Sequence, residues 1–200
     1  MNALQAIRER RSAKHYDALH RLTQSEEDLL FDIAMQAPSS FNIQHWRLVN
    51  VKDVSLRQNI RNVAKDQSQV TDASLLLVIT ADVKAWQKDP RRYWKNAPRD
   101  VQDLIVPWIR PFYDGKEQLQ RDEAMRSIGF IAQTMMVAAK AMGYDSCPMI
   151  GFDSEKVAAL IQLPPDHVIG MMLAIGKAAK PVGTKPGFIE KDEMLISDRF

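Results

Sequence analysis

Residues 37–48 read Ala37-Pro38-Ser39-Ser40-Phe41-Asn42-Ile43-Gln44-His45-Trp46-Arg47-Leu48, lying between a helix-like run and an alternating apolar run. The stretch gathers two hydroxyls, two carboxamides and an imidazole. Pro38 is a poor continuation of the preceding helix, because it lacks an N–H and its ring clashes with the turn before it. Val49 and Val51 then alternate with polar neighbours, the pattern of a half-buried strand. A polar segment where a helix hands over to a strand can present several hydrogen-bonding groups to a ligand on a rigid scaffold. It can equally be an ordinary surface loop. The rest of the chain has to separate the two.

Two hundred residues, 46% hydrophobic and 26% charged, predict one globular domain over residues 1–200. The net charge of +2 is too small to argue for nucleic acid or a membrane surface, and Arg8, Arg10 and Arg11 form the densest basic cluster. Cys147 is the only cysteine, so no intrachain disulfide forms and a reducing cytoplasm is the expected location. No window reaches the length of a membrane-spanning helix.

Asn2 is placed to cap a helix to about Arg11, with Leu4 and Ile7 on its buried side. Thr23, Ser25, Glu26 and Glu27 signal the start of a second helix through Leu29, Leu30, Ile33 and Ala34. Strand Leu48 to Val51 and a helix around Leu56, Ile60 and Val63 follow. Ala73 to Ala81 is a continuous apolar run, suited to an interior strand covered on both faces. Residues 84–119 break the pattern: Trp86, Tyr93, Trp94, Trp108, Phe112 and Tyr113 crowd among four prolines. They fit either core packing or a cover over a planar ligand. Asp122 to Met142 is the clearest helix, apolar around much of its circumference and expected at the centre or at a subunit interface. Gly143 ends it, a strand runs through Cys147 to Ile150, Asp153 or Ser154 caps a helix to about Ile161, and Val168 to Ile175 forms a last strand.

The usual catalytic constellations are missing. His15, His20, His45 and His167 lack metal-helix spacing, and there is no Gly-x-Ser-x-Gly elbow, P-loop or Gly-x-Gly-x-x-Gly. Cys147, before Pro148 at a strand end, reads as a buried inert thiol. Chemistry without a nucleophile or metal points to an organic cofactor that the protein anchors and orients.

Pro38-Ser39-Ser40-x-Asn42-x-Gln44-x-Trp46 resembles the signature loop of the FMN-dependent nitroreductase family, and the likeness extends along nearly the whole chain. Arg10-Arg11-Ser12-x-Lys14 is similar to the family's N-terminal flavin segment, in which Arg and Ser hold the phosphate and ribityl chain and Lys meets the pyrimidine edge. Pro38, Ser39, Ser40 and Asn42 match loop residues that reach a flavin bound mainly by the partner subunit. Gln69 falls where the family sets a polar group on the ring. Pro148-Met149-Ile150-Gly151 resembles the segment whose backbone passes flavin N5, and Lys185 the C-terminal phosphate lysine. An Arg can meet a nearly dianionic phosphate with bidentate hydrogen bonds, and a cation at Lys14 stabilises negative charge on a reduced ring.

Three departures stand out. His45 replaces a Pro and is either a hydrogen-bonded structural residue or a proton donor to substrate. Gly187 replaces a phosphate-binding Arg, with Lys177 a candidate substitute. Asp66 stands where the family often has Asn. The resemblance implies an α+β fold, a central mixed sheet flanked by helices, and a homodimer with FMN sites at its interface and swapped C-terminal tails. It also implies ping-pong electron transfer from NADH or NADPH to a small nitroaromatic or quinone-like acceptor, with no covalent side-chain catalysis. A flavin protein for storage or sensing, or an interaction module that has lost its flavin, are the other readings. Which face of the long helix meets a partner is left open by its sequence, so Met135 and Met136 are taken together as trial interface positions.

Overall fold

The computed structural model describes residues 1–200. Side-chain caps set four of the eight helix starts. The Asn2 carboxamide accepts from the Gln5 N–H at 2.9 Å and opens α1 (Ala3–Glu9). Thr23 and Glu26 close a reciprocal capping box that opens α2 (Gln24–Ala34). Asp53 caps α3 (Val54–Asn62), which is followed by the single turn α4 (Gln69–Asp72). The later helices are α5 (Arg99–Tyr113), α6 (Glu117–Ala141), α7 (Ser154–Leu160, capped by Asp153) and α8 (Lys191–Met194). Gly143, at φ +86°, takes the left-handed conformation that stops α6.

Strands β1 (Trp46–Asn50), β2 (Leu75–Asp82), β3 (Asp145–Met149) and β4 (His167–Gly176) form one sheet in the order β1-β2-β4-β3. Every ladder is antiparallel. The sheet expected to be mixed is therefore antiparallel in its four strands, and its parallel pairing is confined to a bridge between Ser12 and Ser146. All eight residues of β2 are buried. Leu75, Leu77 and Ile79 face Ile128, Ile131 and Met135 of α6 and Leu30 of α2. Leu76 and Val78 face Ile60, Val70 and Val157 on the other side. A strand covered on both faces has no solvent side for polar residues, which is why β2 is apolar from Leu75 to Ile79; the polar Thr80 and Asp82 near its end are paired with the Arg47 carbonyl and Lys88.

Gly170 marks the closest approach of α6 to the sheet. The register passes from Ile79–Met171 to Thr80–Ile169, leaving Gly170 as the extra residue of a bulge. A Cβ there would sit 2.6 Å from Ile128 Cγ2 and 2.7 Å from its Cδ1.

Three expectations are corrected. Met135 and Met136 are buried within the protomer, since the face of α6 they occupy lies against the sheet. The solvent face carries Arg126, Gly129, Phe130 and Gln133 instead. Leu4 and Ile7 are exposed, because the short α1 docks through Ala6. Residues 99–113, expected to be irregular, form α5 with Pro107 and Pro111 inside it. Both prolines lie on the exposed side of α5, where water can satisfy the carbonyls that each leaves without an N–H.

Gly170→Ala is expected to lower stability by about 1–3 kcal/mol through overpacking against Ile128. Thermal unfolding measures the loss, and Ile128→Val in the same background should restore part of it. An unchanged melting temperature would mean that the contact is not tight.

Candidate functional site

The expected site residues fall into two groups. The first follows α1, where the chain leaves the helix and runs beside β3. The Ala13 N–H donates to the Ser146 carbonyl at 3.1 Å. This brings Arg10, Ser12 and Lys14 up to the Cys147 thiol; burial pushes that thiol up in pKa, against the opposing pull of Lys14, Arg10 and Ser12. Such a thiol is a poor nucleophile. Arg10 Nη1 and Arg11 Nε are buried donors with no acceptor in the protomer, although Arg11 Nη1 reaches the Arg8 and Arg10 carbonyls at 2.7 Å.

β3 then delivers Pro148 and Met149 to the exposed Ile150 and to Gly151. Neither the Ile150 nor the Gly151 N–H has a partner within the protomer. Gln67 fixes this turn by donating to the Gly151 carbonyl at 3.0 Å and the Ala64 carbonyl at 2.9 Å. Buried Gln69 donates in turn to Gln67 Oε1 at 3.0 Å. Gln67 was missed from sequence; its only signal is a place two residues from Gln69 after the left-handed pair Lys65 and Asp66. The Asp66 carboxylate points to solvent and is paired with Arg61 at 2.6 Å.

The second group is the signature loop. Phe41, Asn42 and Gln44 have φ of +50°, +54° and +51°. Left-handed backbone at a bulky residue such as Phe41 is costly and needs its surroundings to hold it. Trp94 Nε1 donates to the Phe41 carbonyl at 2.9 Å, Asn42 Nδ2 to the Tyr93 carbonyl at 2.7 Å, and the Gln44 N–H to Ser39 Oγ at 2.9 Å. The Phe41 ring packs edge-on against Phe112 at 5.1 Å and Tyr113 at 6.2 Å. Aromatic residues 86–113 thus brace the loop. Trp86 and Tyr113 are core, stacked 6.1 Å apart, whereas Trp108 and Phe112 are exposed. Pro38 is exposed, and Ser39 and Ser40 are partly so.

His45 is fully buried, its Nδ1 3.1 Å from Ser127 Oγ and its ring 6.2 Å from Tyr113. Burial, only partly offset by Asp82, lowers its pKa to about 4. It is neutral near pH 7 and has no exposed surface to offer a substrate. The structure supports its hydrogen-bonded role.

β1 and β3 lie at opposite edges of the sheet, three strand spacings or about 14 Å apart. β3 runs toward the end of the sheet at which β1 starts, but the ladders set Met149 level with Met172, Val78 and Val49, and they set Ser12, bridged to Ser146, level with Leu75 at the far end of β2 from Trp46. One protomer therefore keeps its two groups of site residues apart. The two expected C-terminal phosphate ligands join neither group through a hydrogen bond. The Lys177 ammonium donates to the Gly143 carbonyl at 3.2 Å and lies over Tyr144, while Lys185 lies 4.3 Å over its own neighbour Phe188. Asp82, Asp166 and His167 come within 4.8 Å of one another, but the Lys88 ammonium already contacts the two carboxylates at 2.7 and 2.5 Å. No helix is long and apolar enough to cross a membrane.

The His45 shift has a defined sign. Below its ordinary pKa of 6.5 the unfolded chain takes up a proton that the native state refuses down to about pH 4. Stability is therefore lost as pH falls through that window, by about 3 kcal/mol. His45→Gln removes this component. The wild-type minus variant difference in urea-unfolding free energy should shrink by that amount from pH 6.5 to pH 4. A constant difference would contradict a neutral buried imidazole.

Known proteins resemble this chain in sequence and in fold. Protein DrgA of Synechocystis is 56% identical over 200 residues, covering 98% of this chain and 95% of its own. MhqN of Bacillus subtilis, an NAD(P)H nitroreductase-like protein, is 33% identical over 86% of each chain. A nitroreductase-type protein of Exiguobacterium sibiricum, solved in complex with FMN, superposes with a TM-score of 0.90 at 25% identity, covering 98% of this chain and 97% of that one. The sequence model of the nitroreductase family matches residues 7–177. With the α+β fold and the order of its motifs, this chain belongs to the nitroreductase family.

Proposed function

We propose that the chain is a single FMN-binding domain over residues 1–200 that works as a homodimeric NAD(P)H oxidoreductase in the cytoplasm. One observation carries the reading. Two sets of ligand-ready groups stand on opposite edges of the sheet, one beside β3 and the other before β1, which fits a site completed by a second copy. The donors present fit the cofactor. Arg10 Nη1 and Arg11 Nε are buried without acceptors, which suits a phosphate, with Ser12 beside them. The free Ile150 and Gly151 N–H groups suit a ring nitrogen.

When bound, FMN supplies the redox chemistry, exchanging electrons first with NADH or NADPH and then with a nitroaromatic or quinone in ping-pong order. The rest is the work of side chains and backbone. Arg10, Arg11 and Ser12 anchor the phosphate and ribityl end, and Lys185 or Lys177 adds charge there. The Lys14 ammonium stabilises negative charge at the pyrimidine edge. Pro148, Met149, Ile150 and Gly151 present backbone rather than a competing side chain at the reacting nitrogen, with Gln67 and Gln69 holding that turn. Pro38, Ser39, Ser40 and Asn42 close the site from the partner. In the protomer Phe188, Ile189, Met194, Leu195, Ile196 and Phe200 are all exposed, which fits a tail that wraps a second copy.

The purified protein should be yellow, release FMN and not FAD on heating, bleach with NADH or NADPH, and recover with a quinone. A protein that binds FMN but does not bleach would be a storage or sensing protein. Lys14→Ala should keep the flavin but lower its reduction potential in a dye-equilibration titration; an unchanged potential would remove Lys14 from the ring.

Phe130 is 48% exposed on the free face of α6 and is the replacement for the buried methionines as an interface probe. Phe130→Glu should weaken the dimer and release FMN together, because ligand and assembly stabilise one another. Sedimentation followed at protein and flavin wavelengths tests this. A monomer with full flavin occupancy would rule out a shared site.

A further inference from the structure

Two hollows border the signature loop, and no carboxylate lines either. The larger, about 870 Å³, is walled by Asn42, Gln44, Tyr93 and Trp94 and includes Arg92 and Lys95. The smaller, about 460 Å³, is walled by Phe41, Trp108 and Phe112, with Lys116 as its only charge. Nearby cations of the aromatic-rich segment, residues 84–119, are neutralised: Arg91 pairs with Asp103 at 2.8 Å, and Lys88 with Asp82 and Asp166 at 2.7 and 2.5 Å. Arg92, Lys95 and Lys116 have no acidic partner within ion-pair distance. The Arg92 guanidinium is held 4.6 Å over the Tyr93 ring, and the Tyr93 and Trp94 bonds to the loop fix this segment beside it. Lys116 donates only to the Pro111 and Phe112 carbonyls and Arg92 only to the Tyr93 hydroxyl, so neither charge is neutralised. In a chain with 27 basic and 25 acidic residues, an acid-free pair of hollows with three such cations is a local feature, not a consequence of net charge.

We propose that these hollows select planar aromatic acceptors bearing a negative group, such as an ionised hydroxyl, carboxylate or sulfonate, over neutral ones. The inference rests on the reading in which the signature loop borders the flavin. Aromatic walls suit the flat ring, and bare cations beside them suit its charge. The attraction is exposed, so salt weakens it. The phosphates of the nicotinamide donor offer the same negative charge. The acceptor is favoured because ring walls and cations occur in the same hollows.

Naphthoquinone and naphthoquinone sulfonate are the probes, used with the FMN-loaded wild type and with Arg92→Gln/Lys95→Gln. Both are first bound at equilibrium by quenching of tryptophan fluorescence, then compared as acceptors by kcat/KM. The sulfonate-to-neutral ratio should fall about three- to tenfold in the double variant, and also in the wild type when salt is raised to about 0.5 M. Comparing ratios between variants cancels the different potentials of the two quinones. A ratio that neither the substitutions nor salt changes overturns the proposal. So does a fall in kcat/KM for NADH alone, which would assign the cations to donor phosphates. If neither quinone is turned over, the proposed oxidoreductase function fails, while the binding ratio still decides this inference. Lys116→Gln repeats the test in the smaller hollow, and all three side chains are exposed enough to change without unfolding the protein.

Discussion

Burial of β2 on both faces is the constraint from which the rest of the structure follows. Its eight residues leave no face for water, so α6 and α2 must cover one side and α3, α4 and α7 the other. Fully burying each large apolar side chain contributes roughly 1.5–3 kcal/mol, enough in sum to hold a sheet of only four strands. With β2 and β4 at the centre, β1 and β3 become the edges. The segments attached to them, the signature loop and the 148–151 turn, are then held on opposite edges. The separation of the two groups of site residues is thus a consequence of core packing.

The signature loop could not hold its shape alone. Three left-handed residues, none of them glycine, stay in place because Trp94 bonds to Phe41, Tyr93 to Asn42 and Ser39 to Gln44, and because Phe112 and Tyr113 pack on Phe41. The aromatic-rich segment of residues 84–119 is itself anchored, through Lys88 to Asp82 and Asp166 and through Lys84 to Gln120 at 2.7 Å. One set of side chains therefore both braces the loop and shapes the hollows beside it. Changing that segment to alter selectivity will also move the loop.

Much of this was legible in the sequence where the signal was local. Asn2, Thr23, Asp153 and Gly143 act at their helix ends through contacts a few residues away, and the apolar run of β2 reports burial directly. What failed depended on long-range packing. The outward face of α6 was misjudged because its apolar residues nearly encircle it, and only the sheet shows that Met135 points in and Phe130 out. α5 was hidden by Pro107 and Pro111, whose cost is small only because that side of the helix meets water. Arg10, Ser12 and Lys14 were recognisable as a motif. That Gln67 fixes the 150–151 turn was not, since the contact joins residues 84 apart.

Several polar atoms remain buried and unpaired in the protomer: Arg10 Nη1, Arg11 Nε, His45 Nε2, Trp86 Nε1 and the Tyr113 hydroxyl. Each such atom costs about 1–3 kcal/mol unless something completes it. The arginine atoms lie in the N-terminal group, where an anion would complete them. The other three are linked through Tyr113, whose ring is 6.2 Å from His45 and 6.1 Å from Trp86, at the base of the signature loop. Trp86 and Tyr113 belong to a packed apolar cluster with Ile43, Ala85 and Ile109, whereas the arginine atoms belong to the segment beside β3. Occupancy of the flavin site would therefore stabilise the arginine segment without altering the core that braces the loop.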